Sequence, residues 1–146
     1  MKRIFRRLFS NKEMRAYYKM RRKHRKELIK MAKKGFDFDW CYLHDLTITK
    51  IRHMYEYFSA GNNVMECEET PNVIAELKHV LDLQEELDNV FNDKPSPIIT
   101  VNDNGSLTFT RSDEDSKRIE KMYEREDELY KEIYAYIGEH LRGWWD

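Results

Sequence analysis

Cysteine is scarce in this chain: Cys41 and Cys67 are the only two among 146 residues. Two cysteines make no disulfide framework, and a reducing cytosol suits such a composition best. Three prolines and five glycines leave long helices with little to interrupt them. No window of about 18 apolar residues exists, so the sequence offers no membrane-spanning helix. The opening MKRIFRRLFS is basic but lacks the apolar run of about 7–15 residues that a signal peptide needs. No glycine-rich phosphate loop, nucleophile elbow or catalytic triad spacing is present. There is no internal repeat and no low-complexity tract.

What is present is charge, aromatic mass and helical periodicity. Charged residues make up 36% of the chain and apolar residues 40%, with 3 Trp, 9 Tyr and 7 Phe. So many aromatics set it apart from a disordered composition, and a chain of this length buries roughly 70% of its unfolded surface. The net charge of −1 conceals a division. Residues 1–34 carry 15 Lys/Arg against Glu13 and Glu27, a net +13; residues 35–146 carry 11 against 25 acids, a net −14. This pattern predicts a basic helical arm over 1–34 joined to an acidic helical domain over 35–146.

The stretch from Trp40 to Phe58 organises the rest. Trp40, Leu43, Thr47, Ile51, Met54 and Phe58 recur at three- and four-residue steps, the spacing of one helix face. Asp45, Lys50, Arg52 and Glu56 point elsewhere. A helix of this kind needs other elements to cover its apolar side. Upstream, Met1 to Ser10 is a short basic amphipathic segment. Asn11 then caps a polar helix that runs to about Lys34 and stops at Gly35. Its middle turn carries Arg21, Arg22, Lys23, Arg25 and Lys26, a cluster suited to solvent or to an anionic surface. Asp37 or Asp39 caps the central helix.

Downstream, Thr70-Pro71 opens a helix with Ile74, Leu77, Val80, Leu81, Leu87, Val90 and Phe91 on its stripe. The period then changes. Pro97 to Val101 and Ser106 to Thr110 flank Asn104-Gly105, which predicts a hairpin at about 97–110. A lone hairpin is marginal in water, so it is expected to pack on the helices. Ser112 with Asp115 resembles a capping box ahead of a last helix reaching about Leu141. The fold class is therefore mainly α: a helical bundle with a small β-hairpin and a basic N-terminal helix. The expected core is Trp40, Leu43, Ile51, Met54, Phe58, Ile74, Leu77, Leu81, Leu87, Leu129, Ile133 and Ile137.

Several sites are weighed and set aside. Cys41-x-x-His44, with Cys67 and His79 further on, does not repeat at zinc-finger spacing. Glu76-x-x-His79 matches a di-iron motif that needs a second copy, and only one is present. The loop from Thr100 places Thr first and Arg111 twelfth, where a calcium loop needs Asp and Glu. The acids Glu124, Glu126, Asp127 and Glu128 fit a solvated helix face. No catalytic residue, metal ligand or cofactor site is expected, so the chain is read as a non-enzyme. At the C-terminus, Trp144 and Trp145 either fold back on the bundle or serve as exposed anchors for a partner.

Asp39-Trp40, Leu43, Lys50, Arg52, Met54 and Tyr57-Phe58 resemble a D-W-x-x-L…K-x-x-x-M-x-x-Y-F pattern found in small uncharacterised proteins of tailed bacteriophages. Trp144-Trp145-Asp146 resembles the W-W-D ending that many of them share. The resemblance covers a small part of the chain and leaves the segment before Phe36 unmatched. It implies phage origin and a compact helical fold, and it brings no catalytic or binding residue. The expectation is a non-enzymatic phage accessory protein that binds a host or phage protein in the host cytoplasm. The alternative is a nucleic-acid-binding protein acting through the basic N-terminal helix. Binding residues are expected among Arg21, Arg22, Lys23, Arg25, Lys26, Trp144 and Trp145. A second copy of the chain is a further acceptor for the arm's charge.

Overall fold

The computed structural model describes residues 12–33, 40–60 and 68–144. The expectations placed on Met1 to Asn11, Gly35, Asp37, Asp39, Cys67 and Trp145 lie outside them. Among the described residues the fold is the mainly helical one that the periodicity predicts. Helix α1 spans Lys12–Ala32, α2 Trp40–Ser59, α3 Thr70–Asn89 and α4 Asp113–His140. A two-stranded hairpin, β1 Ile98–Val101 and β2 Leu107–Thr110, stands between α3 and α4. No described helix is long and apolar enough to cross a membrane.

Two compact units make up the chain. The first contains residues 1–81 together with 143–146, and the second contains residues 82–142. Helices α1 and α2 both belong to the first unit. Helix α3 continues through the boundary at residue 82.

In the first unit α1 and α2 run antiparallel, as their cross-helix pairs show. Tyr17 meets Tyr57, His24 meets His53, and Glu27 meets Arg52. Ile51, Met54, Leu77, Val80 and Trp144 are buried in this unit. Two residues expected in the core are not there: Trp40 is 51% exposed and Leu43 62%. The reason lies in helix length. Helix α1 ends at Ala32, opposite the middle of α2, and so leaves the first turn of α2 largely to solvent. His44 and Thr49 are buried instead. Phe58, Ile74 and Leu81 are only half-buried.

In the second unit Leu83 and Leu87 from α3, and Ile119, Leu129, Ile133 and Ile137 from α4, are buried. Each such side chain contributes about 1.5–3 kcal/mol. Leu83 and Ile119 join this core although neither was in the expected set. Helix α4 starts as the sequence predicts: Ser112 Oγ accepts from the Asp115 amide and donates to its carboxylate. Three acids, Asp113, Glu114 and Asp115, occupy its first turn, where the helix dipole favours them. Arg125 donates twice to Glu86 Oε1, at 2.9 and 2.8 Å, tying α4 to α3 within the unit.

The hairpin departs from expectation. Its register pairs Ile98 with Thr110, Ile99 with Phe109, Thr100 with Thr108 and Val101 with Leu107. All eight strand residues are exposed, so the strands do not bury a face on the helices. The loop holds itself instead. The Gly105 amide donates to the Asn102 carbonyl, and the Asn102 amide donates to Ser106. The Asn102 side chain reaches Ser106 Oγ and Thr108 Oγ1. Gly105 has φ +79°, and no other described residue has positive φ. That makes the connection a type I turn closed by a left-handed glycine, and not a two-residue Asn-Gly turn.

Candidate functional site

The α1–α2 pair concentrates the polar geometry of the first unit. His24-x-x-Glu27 on α1 faces His53-x-x-Glu56 on α2, and the partners cross. His24 Nε2 lies 3.0 Å from Glu56 Oε2, and His53 Nε2 lies 2.9 Å from Glu27 Oε2. An ionised carboxylate only accepts, so each imidazole donates from Nε2. The two rings stack at 3.9 Å with an interplanar angle of 5°. Lys23 adds a 3.1 Å ion pair to Glu56, and Arg52 a 3.2 Å pair to Glu27.

The carboxylates respond to these donors. The hydrogen bond from His53, reinforced by Arg52, holds Glu27 below the ordinary carboxylate value against the cost of burial. The bond from His24, with Lys23 beside it, does the same for Glu56. His53 is pushed down from the ordinary imidazole value chiefly by burial, which outweighs the hydrogen bond to Glu27. At neutral pH His53 is thus a neutral imidazole beside an ionised Glu27, and Glu56 is ionised as well.

A groove of about 580 Å³ opens beside this cluster. From α1 it takes Tyr17, Met20, Arg21, His24, Arg25 and Leu28, one face at helical spacing. From α2 it takes Lys50, His53, Met54, Tyr57 and Phe58, the facing stripe. Trp144 completes the lining. Tyr17 and Tyr57 meet edge to face with centroids 5.6 Å apart, and Tyr57 meets Phe58 at 5.2 Å. All three rings are half-buried. Arginine at 21 and 25, one turn apart, puts cations along the rim of an aromatic and apolar lining.

The predicted basic cluster is therefore split by the helix. Lys23 is spent on Glu56. Arg21 and Arg25 line the groove, while Arg22 and Lys26 are exposed outside it. These last four make no ion pair among the described residues. Trp144 is 4% exposed, and its Nε1 donates to Glu76 Oε2 at 2.8 Å. It folds back within the first unit and is a packing residue rather than an exposed anchor. Cys41 is exposed and His44, three residues on, is buried. Among the described residues no group of three or more His, Cys, Asp or Glu is placed to hold a metal ion.

Composition and periodicity do not single out His24 and His53. The signal was there in H-x-x-E, which occurs once on each of two adjacent helices. Antiparallel pairing turns two such repeats into crossed His–Glu contacts. No protein-family model, curated protein or solved structure matches the chain.

Proposed function

We propose that this is a non-enzymatic phage accessory protein that works by binding, and that its target is nucleic acid held on the cationic side of α1. The observation that carries this is the state of Arg21, Arg22, Arg25 and Lys26. Helix α1 packs on α2 and finds acids there, yet among the described residues only Lys23 of the five clustered cations is drawn into an ion pair. Cations kept out of internal pairs along one helix suit a phosphate backbone. The resemblance to phage proteins supports action in the host cytoplasm.

The test is binding of labelled DNA and RNA at two salt concentrations. Affinity should fall steeply with salt, as counterion release requires. Reversing Arg21, Arg22, Arg25 and Lys26 to Glu should abolish binding while the circular dichroism spectrum stays the same. No binding at low salt removes this target.

A second reading, a protein partner, is favoured by one specific observation. Ile99, Val101, Leu107 and Phe109 share one face of the hairpin and are 55–68% exposed, with threonines predominating on the other face. An uncovered apolar quartet marks an interaction surface. A pulldown from infected cells, run with and without nuclease, separates the two. Partners lost with nuclease favour the first; partners retained, and lost in a Phe109→Ser variant, favour the second.

A further inference from the structure

A duplex and a single strand ask different things of a protein. A duplex offers phosphates on its outside while its bases stay stacked within. A single strand offers phosphates and bare aromatic bases together, and proteins that take it combine a cationic groove with aromatic side chains. The exposed cations Arg22 and Lys26 suit either. The groove between α1 and α2 does not. Its volume of about 580 Å³ lies in the range of sites that enclose small ligands, about 300–1,000 Å³. Its lining pairs Arg21 and Arg25 with half-buried Tyr17, Tyr57 and Phe58. Phosphate alone has no use for those rings, and an apolar ligand has no use for two arginines.

We propose that this groove is a single-strand site, in which Arg21 and Arg25 hold successive phosphates and a base stacks among Tyr17, Tyr57 and Phe58. The proposal rests on the nucleic-acid reading above and names its substrate class. Arg21 and Arg25 sit four residues apart, so their side chains leave α1 on the same side about 6 Å apart along the axis. A strand following that side passes the ring cluster at the Tyr17 end. Two acids beside the groove are already engaged, Glu56 by Lys23 and His24 and Glu27 by Arg52 and His53, and Glu76 accepts from the Trp144 indole. The crossed His–Glu pairs thus keep two carboxylates occupied where phosphate passes.

The experiment is fluorescence anisotropy with the full chain, a labelled oligothymidine and a labelled hairpin duplex of similar length, each at low and moderate salt. The single strand should bind roughly 10-fold more tightly than the duplex, a preference of the size that one stacked base supplies. Tyr17→Leu should weaken oligothymidine binding by roughly the same factor, and Tyr17→Phe, which keeps the ring, should not. Arg21→Gln with Arg25→Gln should lower the salt slope for oligothymidine by about 1.4. Equal affinity for strand and duplex, with Tyr17→Leu as tight as the native chain, overturns the groove site. If charge reversal on α1 still abolishes binding in that case, the nucleic-acid reading stands without it. Absence of binding to either probe overturns both. Displacement of oligothymidine by polyglutamate at equal residue concentration assigns the groove to acidic peptides and overturns the single-strand site.

Discussion

A single imidazole shows how burial and pairing compete in this protein. His53 is 4% exposed and donates to Glu27. Burial disfavours its charged form, the carboxylate favours it, and burial prevails. Its folded pKa therefore lies below the unfolded value near 6.5. Below that value the unfolded chain takes up a proton that the folded chain resists. Stability from the neutral form is complete above the unfolded value and is lost as pH falls toward and through the folded one. Glu27 and Glu56 act in the same direction at lower pH. Their depressed values give stability present above about 4.5 and lost as pH falls through the folded pKa. Urea unfolding between about pH 7.5 and 5.5 should show a falling midpoint. In His53→Gln, whose amide can still donate to Glu27, the fall should be shallower. A native midpoint that stays flat across this window would show that His53 is not held neutral. Arg52 shares Glu27 with His53, and His24, itself bonded to Glu56, stacks on the His53 ring, so the variant is compared with the native chain at each pH.

At the scale of elements, Gly105 tests what holds the hairpin. A methyl added there meets nothing within 4 Å, so any cost comes from the left-handed backbone, about 1–2 kcal/mol for a residue other than glycine. Because every strand residue is exposed, that cost stays local. Gly105→Ala should speed hydrogen exchange at the Asn102 and Gly105 amides and leave the melting temperature nearly unchanged. A melting shift as large as that of a buried-core variant would mean that the strands support the helices after all. The hairpin also marks the limit of what pattern could tell. Its position and its glycine were legible, because β-branched runs around Asn-Gly have few other solutions. Its exposure was not, since the same alternation serves a covered face and an open one. Helix α2 teaches the complement. Ile51 and Met54 were legible from the stripe, but Trp40 and Leu43 lie on the same stripe and are exposed. Periodicity reports a face, whereas cover depends on where the neighbouring helix stops. The cationic cluster was legible as composition. Its partition into a paired Lys23, a groove-side Arg21 and Arg25, and an outward Arg22 and Lys26 needed the partner helix.

At the scale of the whole molecule, the decisive element is α3, which carries Leu77 and Val80 in the first unit and Leu83 and Leu87 in the second. One unbroken helix contributing core residues to both units should couple their unfolding. The tryptophans provide a way to see this. Residues 82–142 contain none, and Trp144 is buried in the first unit, so indole fluorescence reports the first unit alone. Far-ultraviolet circular dichroism reports the helices of both. Coupled units should give coincident denaturation curves by the two probes, the ordinary test of two-state behaviour. Asp82 is exposed on α3 just past the boundary. Proline there removes a helical hydrogen bond and clashes with the preceding turn, at a cost of about 3 kcal/mol or more. Asp82→Pro should therefore separate the two curves, because the helix that links the units is cut while the core side chains of each remain. Native curves that already differ would show that the units unfold independently, and α3 would then be a connector without mechanical consequence. Coincident native curves that separate only in the proline variant would assign the coupling to the helix itself. That outcome carries over to binding: a strand held on α1 and α2 would then raise the unfolding midpoint seen by both probes, by the amount its free concentration and affinity set.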